Sequence, residues 1–247
     1  MSLRENRRTF LKKSSSMLAL GAAATSMSQL HLFGANQEEK ITLGLIGCGG
    51  IMQHHIRQLI AGSQNVVITH LCDVDPAQIE KSAKLVESFQ QTAPQQTQRY
   101  EDVLEDKNVD AVLIATPHHW HAPMGVAAMQ AGKDVYLEKP ISHVYAEGQL
   151  IKDAALKYDR VVQQGSQMRN SPVTAEAEKL LRSGIIGEIK VARAWTAEAR
   201  TAVKPVPDSE PPAGVDYDRW LGPAPKHAFN PHRFHFFMEI IPRLWKR

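Results

Sequence analysis

The chain has 247 residues, 43% of them hydrophobic and 22% charged, which excludes wholesale disorder and leaves room for one large domain or two modest ones. The formal net charge is only +3, and much of the excess sits at the two ends, in Arg4, Arg7, Arg8, Lys12 and Lys13 and in Arg243, Lys246 and Arg247. A bias confined to the ends argues against a nucleic-acid face, so no nucleic-acid partner is expected.

At the amino end, Asn6-Arg7-Arg8-Thr9-Phe10-Leu11-Lys12 precedes an Ala-rich apolar stretch over residues 17–25. That order resembles a twin-arginine export signal, with cleavage after Ala35 in Phe33-Gly34-Ala35. The competing reading is a basic amphipathic tail. The stretch falls short of the about 20 apolar residues that cross a bilayer, so no stable membrane span is expected. Residues 1–36 are set apart as a signal segment, which implies a periplasmic or otherwise exported protein.

Ile41-Thr42-Leu43-Gly44-Leu45-Ile46 is short, apolar and bounded by glycine, as a buried parallel strand is. Gly47-Cys48-Gly49-Gly50 follows, and Met52, Ile56, Leu59 and Ile60 then recur at helical spacing. Glycines between a strand and a helix suit a dinucleotide. Gly47 would permit the tight turn; Gly49 would let the backbone approach a pyrophosphate at the helix start, with Gly50 and Ile51 beside it. Met52 stands where a third glycine is expected, so a looser strand–helix contact is predicted unless Gly50 takes the close approach.

The next apolar run, Val66-Val67-Ile68-Thr69-His70-Leu71, leads into Cys72-Asp73-Val74-Asp75. Asp73 stands near the distance at which a carboxylate binds the adenosine ribose, which favours NAD over NADP; the alternative is a helix cap. Asp75 is expected to cap a helix opening at Pro76. Cys48 and Cys72 are too few for a disulfide framework. They lie at the ends of neighbouring strands, so a bridge is conceivable, but buried packing thiols are expected.

Asp110-Ala111-Val112-Leu113-Ile114-Ala115 is a third buried strand, broken by Thr116-Pro117. Met124, Ala127, Ala128 and Ala131 mark a helix with Pro123 in its first turn and Gly132 beyond its end. Asp134-Val135-Tyr136-Leu137 is a strand. Ser142 is expected to cap a helix burying Leu150, Ile151, Ala154, Ala155 and Tyr158, and Arg160-Val161-Val162-Gln163-Gln164 forms the next strand. This alternation predicts a doubly wound parallel sheet with helices on both faces and ligands beyond its carboxyl ends. One rim then carries Gly47 to Gly50, Asp73, Thr116-Pro117 and Glu138-Lys139-Pro140.

These rim residues resemble the Gfo/Idh/MocA family. The matching pieces are the glycine turn, Ala115-Thr116-Pro117 with His121 after it, Glu138-Lys139-Pro140, Gln164-Gly165-Ser166-Gln167-Met168-Arg169, and Ser183-Gly184-Ile185-Ile186-Gly187-Glu188-Ile189. The resemblance covers about residues 40 to 235. It implies a Rossmann domain at 37–166 that binds NAD, with NADP less favoured, followed by an α/β domain at 167–247 with an open, mainly antiparallel sheet like that of dihydrodipicolinate reductase. Many members oxidise a hydroxyl of a sugar or cyclitol. By resemblance Lys139 sits beside the nicotinamide and the reacting hydroxyl, where a cation would stabilise alkoxide charge. Pro140 would fix the backbone, usually through a cis bond. Glu138 would orient Lys139 or touch the cofactor, and His121 would belong to the cofactor pocket. An isolated Glu-Lys pair would otherwise be a solvated surface. Arg169 would reach substrate or serve an ion pair or sheet edge. His118-His119-Trp120-His121, like His232 and His235, lacks the cysteine or carboxylate company of a metal site, and no metal is expected.

In the second domain Ser171, Pro172, Val173, Ala177, Leu180, Leu181 and Gly184 signal a helix, and residues 189–196 a strand. Residues 204–214 read as a Pro-rich loop. Asp218-Arg219-Trp220-Leu221-Gly222-Pro223 and Phe229-Asn230-Pro231 resemble the loop segment of exported members. The tail from Phe236 departs from the family pattern, so a truncated or frameshifted product is expected, without the Asp and His that act as acid/base partners. A homo-oligomer is expected only with a complete second domain. The leading activity is NAD-dependent oxidation of a carbohydrate-like hydroxyl. The alternatives are a glycoside hydrolase that retains NAD and oxidises transiently, and a catalytically silent dinucleotide-binding fragment.

Overall fold

The computed structural model describes residues 40–195 and 205–234. The signal-like segment, Thr196, Lys204, His235 and the tail lie outside the described residues. Six parallel strands form one sheet: β1 (Ile41–Ile46), β2 (Val66–Cys72), β3 (Gln95–Thr97), β4 (Ala111–Ile114), β5 (Asp134–Leu137) and β6 (Val162–Gln164), in the order β3-β2-β1-β4-β5-β6. All neighbouring pairs are parallel. The helices between them are α1 (Gly50–His55, continued by a π-helical turn, Ile56–Ile60), α2 (Pro76–Glu87), α3 (Tyr100–Glu105), α4 (His118–Gln130) and α5 (Tyr145–Tyr158).

The alternation along each strand splits the core in two. Leu45, Ile68, Leu71 and Leu113 pack with Met52, Ile56, Ile79 and Val86. Their neighbours Ile46, Cys72, Val112 and Ile114 pack on the other face with Val103, Met124, Ala128, Val135 and Ile151. Side chains of period two thus supply both faces of one sheet. β1 is the pivot: β2 pairs on one side and β4 on the other. The connections diverge there and leave a crevice at the carboxyl ends.

Several expectations need correction. Met52, where a third glycine is expected, is fully buried and fills the space between α1 and the sheet. Gly50 makes no close approach, since a Cβ there would meet nothing within 4 Å. The helix expected to open at Pro123 begins at His118, with Pro123 inside it. Its first turn is anchored from outside, through His119 and Trp120 to the Trp220 carbonyl, which overrides the preference of proline for a first turn. α5 begins at Tyr145, not after Ser142, because Glu147 accepts from the His143 and Val144 amides at 2.8 and 3.3 Å. Leu150 is 59% exposed, one position off the buried stripe of Ile151 and Ala154. β6 lacks Arg160 and Val161. Residues 189–195 form no strand and have no ladder partner among the described residues. β3 and α3 carry too few apolar residues to signal themselves; β3 joins the sheet through backbone pairing with β2 alone.

Beyond the sheet lie α6 (Pro172–Arg182) and α7 (Tyr217–Leu221), with short 3₁₀ turns at Gln167–Asn170 and Pro231–Arg233. α6 starts at Pro172 as the sequence signals, and Gly184 follows at φ +78°. The segment expected as loop instead makes α7 and an aromatic cluster of Trp220, Leu221, Phe229 and Phe234 against Val74.

Candidate active site

A cavity of about 680 Å³ opens at the carboxyl ends of β1, β2, β4 and β5. It is lined by Gly47, Gly49, Gly50 and Ile51 after β1, Asp73 after β2, Thr116 and Pro117 after β4, and Glu138 and Lys139 after β5. These four loops, up to about ninety residues apart in sequence, meet here because parallel strands all end on one rim.

Gly47 takes φ +86°, and a Cβ on it would lie 2.8 Å from the Ala115 carbonyl group. The turn thus needs glycine for conformation and for space. Its amide donates to the Cys72 carbonyl at 2.8 Å. Space beside Gly49 is open. Asp73 braces this loop: its carboxylate accepts from the Cys48 amide at 2.6 Å and from the Asp75 amide at 2.9 Å. The α2 cap is Asp75, which accepts from the Ala77 amide at 2.9 Å. Cys48 and Cys72 are buried and free.

Glu138 is only 3% exposed. Its Oε1 accepts from His55 Nε2 at 2.7 Å and Gln167 Nε2 at 2.8 Å, and its Oε2 accepts from the Lys139 amide at 2.9 Å. Burial pushes the carboxyl up, but these hydrogen bonds outweigh it and hold the pKa below the usual glutamate value. The carboxylate therefore fixes the backbone that carries Lys139, whose side chain is exposed at the cavity. The Lys139–Pro140 bond is cis. His55 belongs to no sequence motif; it falls three residues after Met52, on the buried stripe of α1.

His121 does not line the cavity. It is 1% exposed and lies behind the wall, with Nδ1 2.6 Å from the Pro140 carbonyl oxygen and Nε2 2.9 Å from that of Thr116. Its role here is to join two rim loops. Burial lowers its pKa against the pull of those carbonyls. Pro140 and Arg169 also lie off the cavity wall, and Arg169 is exposed. Thr116 Oγ1 is buried with no hydrogen-bond partner.

Open space beside Gly49 and Gly50, the carboxylate at the end of β2 and the unsatisfied Thr116 hydroxyl fit a dinucleotide laid across the rim. The fold and crevice define a dinucleotide-binding protein of the doubly wound class. Comparison with known proteins narrows this: the chain belongs to the Gfo/Idh/MocA oxidoreductase family. Residues 41–166 match its model "Oxidoreductase family, NAD-binding Rossmann fold", and residues 174–239 match "Oxidoreductase family, C-terminal alpha/beta domain". A glycosyl hydrolase family 109 protein of Shewanella pealeana is 28% identical over 206 residues, covering 74% of this chain and 44% of that protein. An alpha-N-acetylgalactosaminidase of Tannerella forsythia is 30% identical over 149 residues, 53% of this chain and 31% of that protein. The crystal structure of myo-inositol 2-dehydrogenase from Lactobacillus plantarum superposes with a TM-score of 0.55 at 26% identity, over 61% of this chain and 43% of that one. The chain thus spans less than half the length of these relatives.

Proposed function

We propose that the chain binds NAD and serves hydride transfer between the nicotinamide and a hydroxyl of a sugar, cyclitol or related carbohydrate. The observation that carries this is the meeting of the glycine loop, Asp73, Thr116 and Lys139 on one cavity. NAD supplies the hydride acceptor. Gly49 and Gly50 leave the backbone bare for a diphosphate, and Asp73 offers its carboxylate to ribose hydroxyls while repelling a 2′-phosphate. The Lys139 ammonium stabilises charge on the substrate oxygen, and Glu138 holds its backbone in place. Arg169 is exposed and does not line this cavity, so it is given no part in the proposal.

The test is calorimetric titration of the protein with NAD and NADP. NAD is expected to bind more tightly. Asp73→Ala should weaken NAD and narrow its advantage over NADP by about tenfold. The ratio matters because Asp73 also braces the glycine loop, and a purely structural loss would weaken both coenzymes alike. An unchanged ratio would remove the ribose assignment.

A second reading is glycoside hydrolysis with transient oxidation on retained NAD. It is favoured by the match to a glycosyl hydrolase family 109 protein, which extends over 206 residues. The Arg7-Arg8 segment further supports export through the twin-arginine route to the periplasm. Replacing both arginines by lysine should leave the protein in the cytoplasmic fraction; normal periplasmic recovery would sink that assignment.

A further inference from the structure

We infer that residues 214–222 build the adenosine end of the cavity, with Arg219 and Trp220 as specificity-determining residues for the base; this rests on the reading that the cavity takes NAD. The cavity runs from Glu138 and Lys139, after β5, to Val74, Gln98 and Tyr100, after β2 and β3. With a diphosphate at the glycine loop and ribose at Asp73, the lobe on the β3 side receives the purine. Val74, Tyr100 and Trp120 line that lobe, and Arg219 and Trp220 complete it from about a hundred residues or more away in sequence.

The segment is firmly built onto the crevice. The Asp216 amide donates to the Val74 carbonyl at 3.1 Å, one residue past Asp73. Gln98 Nε2 donates to the Val74 and Gly214 carbonyls, both at 2.8 Å. Trp120 Nε1 donates to the Arg219 and Trp220 carbonyls, both at 3.1 Å, and His119 Nε2 lies 2.9 Å from the Trp220 carbonyl oxygen. Gly222 takes φ +48°, and a Cβ on it would strike the Trp120 ring at 2.0 Å. The loops after β2 and β3 and the first turn of α4 are thus all tied to residues 214–222.

The chemistry of the lobe suits an unphosphorylated adenosine. Aromatic faces and a guanidinium plane stack on a purine. Arg219 Nη1 donates to both Glu101 oxygens at 2.9 Å, and Asp216 stands 3.6 Å from its Nε. Its charge is spent on these carboxylates, so it offers a flat face more than a hook for a phosphate.

Titrating NAD and ADP-ribose into the full chain, with heat and tryptophan emission as readouts, tests this. Arg219→Ala and Trp220→Ala should weaken both ligands by one common factor, about tenfold or more. Trp220→Phe keeps an aromatic filler and so guards against misfolding of the alanine variant; it should retain binding but show a smaller ligand-induced change in emission. The inference is overturned if Arg219→Ala binds both ligands within about twofold of wild type. It is equally overturned if the emission change is the same in Trp220→Phe. A wild-type protein that binds neither ligand sinks the NAD reading itself.

Discussion

Lys139→Met should cut hydride transfer by about 10²–10³-fold, the usual cost of losing a charge aimed at a developing oxyanion, while NAD binding stays nearly unchanged. Methionine keeps the length of the side chain and removes the charge, and the backbone amide that donates to Glu138 is untouched. The measurement is NADH absorbance with sugars and cyclitols, beside calorimetry with NAD. Loss of binding in step with loss of rate would instead make Lys139 a cofactor ligand. Supplying glycosides in the same assay separates the two chemistries: sugar release with no net NADH favours the hydrolytic cycle, and stoichiometric NADH favours the dehydrogenase.

Glu138→Leu is expected to destabilise the fold by about 3 kcal/mol or more, because it strands three donors at once. His55 Nε2, Gln167 Nε2 and the Lys139 amide all converge on that carboxylate. The pH dependence has a definite sign. The folded pKa is lowered, so the stability Glu138 contributes is complete above the unfolded glutamate value and is lost as acid carries the pH down through the folded one. Urea melts at neutral and acid pH should show the wild-type advantage over Glu138→Gln shrinking on acidification. An advantage that is constant or grows would mean that the carboxylate is not held ionised by its donors.

Much of the nucleotide half is legible in the sequence for a simple reason. β1, β2, β4 and β5 are buried on both faces, so they read as short apolar runs, and Gly47 and Asp73 stand at their ends. Local pattern fails where the cause is distant. β3 is the polar triplet Gln95-Gln96-Thr97, an edge strand with no apolar run to betray it. The start of α4 is set by contacts with Trp220, and proline statistics point to the wrong turn. Likewise, nothing near Trp220 announces that it closes a cavity; only the aromatic density of Tyr217, Trp220, Phe229 and Phe234 hints at a packed cluster. His121 stands close to Thr116-Pro117 in sequence, but motif adjacency does not reveal whether a ring faces the cavity or the carbonyls behind it. His55 was recoverable by asking which polar residue shares the buried stripe of α1.

The two thiols beneath the glycine loop carry a practical consequence. Cys48 and Cys72 are almost wholly shielded, and burial, aided by the Asp73 carboxylate, pushes both thiols well above the ordinary range. Since attack requires the thiolate, alkylating reagents and peroxide find nothing to react with at Cys48 while the first crossover stays closed, and Cys72 is shielded by the core on the opposite face of the sheet. The speed at which iodoacetamide marks Cys48, which packs against Met52 and Ile56 of the first crossover, therefore serves as a native clock for how often that crossover opens.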